Sequence, residues 1–216
     1  MGEQHEPTRR KRGSLTAEEI LDAAERVAAT GIDSLTVRAV AAKLGASPMA
    51  LYRYFPTKDA LVEALLDRVL ARIPLPQPGP WEHELRELAL AHSRTLSTHP
   101  WAVGPLFAHP SPGMSTLRLG EVFLGILARG GLLGEDAVGA FGAVLALNFG
   151  RAAFAASAPD SGLPRVDPGA FPHTAASSAA LAGYASDAMH ARALDLLLAG
   201  IGASARRAHD GSGDAS

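Results

Sequence analysis

The chain has 216 residues and 22.4 kDa, with 47% hydrophobic and 19% charged side chains, a formal net charge of -2 and a pI near 6.4. That is enough apolar chain for one large domain or two small ones without covalent staples, and too little charge for a disordered protein. The absence of cysteine excludes a disulfide framework, a thiolate zinc site, an iron–sulfur cluster and a cysteine nucleophile.

The near-neutral sum hides a segregated charge. Arg9, Arg10, Lys11 and Arg12 form a cationic block, and between Asp33 and Asp59 the chain carries Arg38, Lys43, Arg53 and Lys58 with no carboxylate. Beyond residue 73 acids outnumber bases, 12 to 9. Local fields of this kind, rather than the total, decide whether a polyanion is a plausible partner. Residues 1–6 carry acids where a signal peptide carries cations, and no apolar run follows, so a cytoplasmic protein is expected.

Punctuation divides the chain into a basic tail expected to be disordered (1–13), a compact unit (14–73), a stiff Pro-rich linker (74–80), a long apolar unit (81–207) and a second disordered tail (208–216). Apolar residues recur at spacings of three and four, and no run alternates as a strand would, so the fold class is all-α. Thr16 as N-cap and Glu19 at N3 form a capping box, Leu15 and Ile20 a hydrophobic staple, and Leu21, Ala24, Val27 and Ala28 a buried stripe ending at Gly31 as C-cap. Thr36 caps a second helix bearing Val37, Val40, Ala41 and Leu44, stopped by a left-handed Gly45. Ser47 and Pro48 open a third as N-cap and N1, Pro56 ends it, and Thr57 caps a fourth striped by Leu61, Val62, Leu65, Leu66 and Val69.

The second and third helices carry the informative spacing. A near-perpendicular crossing through a short turn needs a small residue where the backbones approach, a glycine at positive φ, and apolar anchors on both sides. Ala41, Gly45, and the set Val40, Leu44, Leu51 and Phe55 supply these. Ser47, Pro48, Met49, Tyr52 and Arg53 are then free to enter a DNA major groove.

The run Leu35-Thr36-Val37-Arg38-Ala39-Val40-Ala41, with Leu51-Tyr52-Arg53-Tyr54-Phe55-Pro56-Thr57-Lys58, resembles the tetracycline-repressor (TetR) family of bacterial regulators, over roughly Thr16 to Leu70. The resemblance implies a three-helix helix-turn-helix DNA-binding head, a connecting fourth helix, and a helical ligand-binding and dimerisation body. It assigns backbone or base contacts to Arg38, Tyr52 and Lys58. DNA-facing residues are expected at Thr36, Val37 and Arg38, at Ser47, Pro48, Met49 and Ala50, and at Tyr52, Arg53, Tyr54 and Lys58. Pro48-Met49-Ala50 departs from the polar tip of the founding subgroup. Met49 and Ala50 suit thymine methyls, Arg38 and Arg53 guanine edges, and Thr36, Tyr52, Tyr54 and Lys58 phosphates. The Arg9 to Arg12 block suits a phosphate track or a minor groove.

In the second unit Leu85, Leu88, Ala89, His92 and Leu96 stripe one helix from Trp81, and Pro100, Pro105, Pro110 and Pro112 are expected to break the next stretch into short, kinked pieces. Helices are expected at Met114–Arg129, Glu135–Ala158 and from Leu181 to about Arg206, with an irregular stretch from Pro159 to Pro172, giving nine or ten in all. Ala137 to Ala156 is apolar enough for a membrane span, but Gly139, Gly142, Asn148, Gly150 and Arg151 argue for a buried helix facing another across small residues. Leu194, Leu197, Leu198 and Ile201 offer the matching stripe. The pair resembles the family's four-helix dimer interface, a homodimer through the last two long helices. Such a dimer sets two recognition helices about 34 Å apart on a palindromic operator.

Trp81, Thr98-His99-Pro100 and Leu194 to Ile201 further resemble the tetracycline-repressor-type C-terminal subgroup. Leu106 and Phe107 stand where that subgroup's founder has ligands for a magnesium–drug chelate, so neither magnesium nor tetracycline is expected. No cofactor is expected. A ligand pocket is expected among His92, Trp101, Phe107, His109, Phe123, Asn148, Phe149 and Arg151. His92 and His99 lack a carboxylate partner for a metal. Arg151 must reach solvent, pair across a dimer or bind an anion. An enzyme is disfavoured, since Ser93 and His92 are adjacent and face apart, with no phosphate loop or paired carboxylates nearby. The function expected is a DNA-binding repressor released from a palindromic operator by a small, largely apolar effector. The alternatives are a small helical enzyme or a constitutive DNA-binding dimer.

Overall fold

The computed structural model describes residues 15–108, 113–157 and 166–213; the Arg9 to Arg12 block, His109, Pro110, Pro112 and the first half of the stretch from 159 to 172 lie outside them. Every secondary-structure element among the described residues is a helix, with no strand. The first unit comprises α1 (Ala17–Ala28), a 3-10 turn (Ile32–Ser34), α2 (Val37–Leu44), α3 (Pro48–Tyr52) and α4 (Lys58–Ala71). Their starts are written in local chemistry. The Glu19 N–H donates to Thr16 Oγ1 at 3.2 Å and the Thr16 N–H to Glu19 Oε2 at 3.0 Å, closing the capping box. Thr36 and Thr57 accept from the N–H groups of Ala39 and Ala60, each at 3.0 Å. Ser47 precedes Pro48 at N1 as expected, but its side chain makes no capping bond. α1 ends two residues before its expected cap, at Ala29 in right-handed conformation, and Gly31 turns at φ 130° to open the 3-10 turn.

Ile20, Leu35, Val40, Ala41, Leu51, Leu61, Leu65 and Val69 close a single core at 1% exposure or less. Trimming a fully buried leucine in such a core to alanine costs about 2–5 kcal/mol.

The second unit begins with α5 (Trp81–Thr98), whose stripe of Leu85, Leu88, Ala89, His92 and Leu96 is buried as expected. α6 (Pro100–Ala108) contains Pro105, a residue expected to break it. The proline lies in the second turn, where its missing N–H forfeits one bond, to the Trp101 carbonyl, and its ring is buried. α7 (Met114–Arg129) and α8 (Gly134–Ser157) lie near their expected limits. Two short helices, α9 (Pro172–Ala176) and α10 (Ser178–Ala182), bring the described count to eleven; neither buries a residue, so no stripe announces them. α11 (Asp187–Gly213) starts later than Leu181 and continues beyond Arg206, because extending a formed helix adds one hydrogen bond per residue without a new nucleation cost.

The body core gathers Leu85, Leu88, Phe123, Ile126, Leu127, Val144, Leu194 and Ile201. The two cores interlock. Leu70 and Ile73, at the end of α4, belong to the body core, whereas Trp101 and Ala102 of α6 belong to that of the first unit. The Pro-rich joint is pinned as well: buried Glu84 accepts from the Gly79 N–H at 2.8 Å and pairs with Arg129 of α7. α8 is, among the described residues, one helix long and apolar enough to cross a membrane, yet only 28% of its apolar window is buried within the chain. Much of an apolar helix is therefore left facing outward, including Val138, Phe154 and Gly139, Gly142, Ala146 and Gly150.

Candidate DNA-facing surface and body cavity

Gly45, at φ 61°, stops α2 in a Schellman turn: its N–H reaches the Ala42 carbonyl at 3.1 Å and the Ala46 N–H the Ala41 carbonyl at 3.0 Å. The turn hands the chain to α3 and sets Ala41 and Leu51, each 1% exposed, in the shared core. What remains outside is Thr36, Arg38, Lys43, Ser47, Pro48, Met49, Tyr52, Arg53, Tyr54 and Lys58, all exposed, with Met49 at 72%. None of Arg38, Lys43, Arg53 and Lys58 forms an ion pair with a described residue. Four uncommitted cations flank a protruding helix, the electrostatics that a phosphate backbone requires.

The packing bears on three of the expected contacts. Val37 is 7% exposed and belongs to the core, because α2 packs against α1. Ala50 is half-buried beside Leu51. Tyr54 keeps an exposed ring, but its hydroxyl donates to the Leu15 carbonyl and tethers the end of the helix-turn-helix to the start of α1.

Behind this surface α4 is clamped to α1 by charge. Arg68 donates to Asp22, Arg72 donates to Glu25 Oε1 at 2.6 Å, and His99 Nε2 lies 3.3 Å from the same oxygen. The hydrogen bond from Arg68 holds the Asp22 carboxyl below its ordinary pKa. Burial raises that of Glu25, but Arg72, His99 and Arg68 together outweigh it and leave it lowered.

The body contains a cavity of about 230 Å³ between α4, α5, α7 and α8. Of the expected pocket residues it takes His92 and Phe149. Phe107, 64% exposed, packs its ring at a tilt 4.9 Å from that of Phe149, and Phe123, fully buried, stands behind the wall with its ring 5.3 Å from that of Phe141. Asn148, also fully buried, bonds the ring of His92 from beneath. Trp101 is not there: it fills the core of the first unit. Arg151 is not there either. It lines a separate cavity of about 250 Å³ between α8 and α11, donates to Ser97 Oγ, and pairs within its own chain with Asp187 at the start of α11. That is an outcome outside the three expected for it.

Sequence reasoning misses the α4 wall, Glu63, Leu66, Asp67 and Leu70. The available signal is the i, i+4 spacing of Glu63 with Asp67 and of Leu66 with Leu70, which places each pair along one strip of α4. Asp67 also reaches across to α7, accepting the Ser115 N–H at 2.7 Å. Gly113 permits this approach, since a Cβ there would lie 2.6 Å from Asp67 Oδ1. Burial pushes the His92 pKa down to about 4, so its ring is neutral at pH 7. Among the described residues no group of three or more histidine, aspartate or glutamate side chains is placed to hold a metal ion.

The profile for bacterial regulatory proteins of the tetR family matches residues 20–65, and that for the tetracyclin repressor-like C-terminal domain matches 73–205. The HTH-type transcriptional repressor DrrR1 of Streptomyces coeruleorubidus is 33% identical over 138 residues, 62% of this chain and 51% of that protein. The class D tetracycline repressor of Escherichia coli is 41% identical over 87 residues, 38% of this chain and 40% of that protein. The chain thus spans about half the length of the curated relatives it matches. A possible TetR family regulator from Streptomyces coelicolor superposes with a TM-score of 0.73 at 28% identity, over 87% of this chain and 98% of that one. ActR of the same organism, in complex with actinorhodin, gives 0.74 at 22% identity, over 88% and 98%, a likeness of fold. The relatives are regulators of transcription, in keeping with a non-enzymatic protein. The two family profiles together span the head and the body, the all-α fold superposes on a regulator of the same kind, and the chain belongs to the TetR family.

Proposed function

We propose that the protein is a homodimeric repressor that occupies a palindromic operator and leaves it when a small, largely apolar effector fills the cavity lined by His92 and Phe149. The observation that carries this reading is that α4 serves both sites. Its first residue, Lys58, sits with the exposed cations, and its later residues, from Glu63 to Leu70, line the cavity. A ligand that prefers one setting of α4 therefore has a route to the heads, and a population shift needs no more than that preference. The division into a DNA-binding head (14–73), a linker (74–80) and a ligand-binding, dimerising body (81–207) belongs to the same proposal, as does action in the cytoplasm.

Dimerisation through α8 and α11 is supported by the outward apolar face of α8 and by a groove of about 410 Å³ between the two helices, edged by Gly139, Ala140, Leu196, Leu197 and Gly200. A Cβ at Gly139, Gly142, Gly150 or Gly200 would meet nothing within 4 Å, so the chain itself leaves room there for a second helix to approach. DNA contact is proposed through Thr36, Arg38, Ser47, Pro48, Met49, Tyr52, Arg53 and Lys58.

The test is binding of the purified protein to a fluorescent duplex from its own promoter region across a salt series. Saturable binding to one palindrome, about 10³-fold or more tighter than to scrambled DNA and steeply salt-dependent, is expected. No preference over scrambled DNA would remove the regulator reading. Effector and DNA must also weaken each other's binding by the same factor, and unequal factors at equilibrium would refute the switch.

A further inference from the structure

The hydrogen bonds beneath the cavity fix what its inner wall offers a ligand. Asn148 Nδ2 lies 2.9 Å from the Ala89 carbonyl, which only accepts, so the amide group pointing there is the NH2. The same nitrogen lies 3.0 Å from His92 Nδ1, which must therefore accept its second proton. A neutral ring with an accepting Nδ1 carries its proton on Nε2. That N–H bonds no described residue and, unlike Asn148 Oδ1, is not among the sealed polar atoms, while the ring itself lines the cavity. Apart from the α4 carboxylates, the polar side-chain groups lining the cavity are thus this inner N–H donor and the hydroxyl of exposed Thr116. The α4 wall presents the opposite: Glu63 and Asp67, two acidic side chains, with no lysine or arginine among the described residues that line the cavity.

Resting on the reading of this cavity as the effector site, we infer that the effector is a largely apolar molecule with a carbonyl-type acceptor at its inner end, for His92 Nε2, and a hydroxyl or ammonium donor at its outer end, for Glu63 and Asp67. It is not an acid. A carboxylate ligand would lose its water against apolar walls and meet two acidic groups without a compensating cation.

Four matched probes test this by calorimetry on the full-length protein without DNA: fluorene, fluorenone, fluorenone carboxylate and aminomethyl-fluorenone. Fluorenone differs from fluorene by a carbonyl in place of a methylene and should bind about tenfold tighter, the worth of one hydrogen bond made in a dry site. His92→Phe should shrink that preference to about threefold or less. The aminomethyl compound should bind about tenfold or more tighter than the carboxylate, and Glu63→Gln with Asp67→Asn should narrow that gap. Gly120, on the cavity wall with open space where its Cβ would be, provides the locating variant: Gly120→Phe should abolish binding of all four.

Equal binding of fluorene and fluorenone, or a carboxylate as tight as the amine, would overturn the inference. So would failure of all four to bind. The unmodified protein supplies these comparisons even where His92→Phe does not fold. Release of operator DNA is measured separately with the same probes. The expected order of affinities without release would leave the ligand chemistry standing and defeat the switch.

Discussion

The buried imidazole of His92 makes stability depend on pH in a calculable way. Burial pushes its pKa from the ordinary 6.5 down to about 4, and unfolding restores the ordinary value. Between those limits the unfolded chain binds a proton that the folded chain refuses, so stability rises with pH across the window. It is fully present above pH 6.5 and lost as pH falls towards 4. A window of about 2.5 units, at about 1.36 kcal/mol each, corresponds to about 3 kcal/mol per protomer. The assay is urea unfolding followed by circular dichroism, from about pH 7.5 to about pH 4.5, at fixed protein concentration because a dimer's stability depends on it. His92→Phe should remove most of the slope. A weaker slope of the same sign should remain from His190, which burial and the charge of Arg151 also hold low. Asp22, Glu25 and Asp195, with lowered pKa values, lose their contribution further down, as pH falls through their folded values. Unfolding of His92→Phe with the parent's full slope would refute the reasoning.

Four further outcomes are expected. Gly45→Ala should cost about 1–2 kcal/mol of unfolding free energy from left-handed backbone strain alone, since the added Cβ meets nothing; an unchanged urea midpoint would contradict the turn. Gly130→Ala places a Cβ 2.6 Å from the Trp81 indole and should cost about 1–3 kcal/mol, recovered in part by Trp81→Leu in the same chain. Gly142→Arg should convert the dimer to a monomer in sedimentation velocity, and a dimer of unchanged affinity would move the interface away from α8. In operator titrations Arg38→Ala should relax one base position by about 1–3 kcal/mol, whereas Lys58→Ala should weaken all sequences evenly and flatten the salt slope; parental binding by both would displace the proposed docking.

What the sequence discloses is what neighbours within four residues decide. The capping threonines at 16, 36 and 57, the glycine stop at 45 and the stripes of α1, α4 and α5 are local statements, and the structure keeps them. Trp101 escapes such reasoning because its burial depends on α6 lying against the first unit, a contact that no spacing encodes. Pro105 reads as a break because the rule weighs the lost bond and not the packing that holds the helix around it. Asp67 and Glu63 look, in sequence, like the solvated face of a connecting helix. Only the arrival of α7 and α8 turns that face into the wall of a cavity.

The exchange of residues between the two cores bears on how the proposed switch would move the heads. α4 is anchored in the body at Leu70 and Ile73, and α6 returns Trp101 and Ala102 to the head, so head and body are joined by two pins rather than one flexible strand. Two pins define an axle. From Leu70 to Lys58 is 12 residues of helix, a lever of about 18 Å at 1.5 Å per residue. A turn of about 10° about that axle carries Lys58 through about 3 Å, roughly one residue's step along a DNA strand. In a symmetric pair both heads would travel together, doubling the error in their separation. Under the proposed switch, a molecule no larger than the cavity, acting near the fulcrum, would have leverage out of proportion to its size.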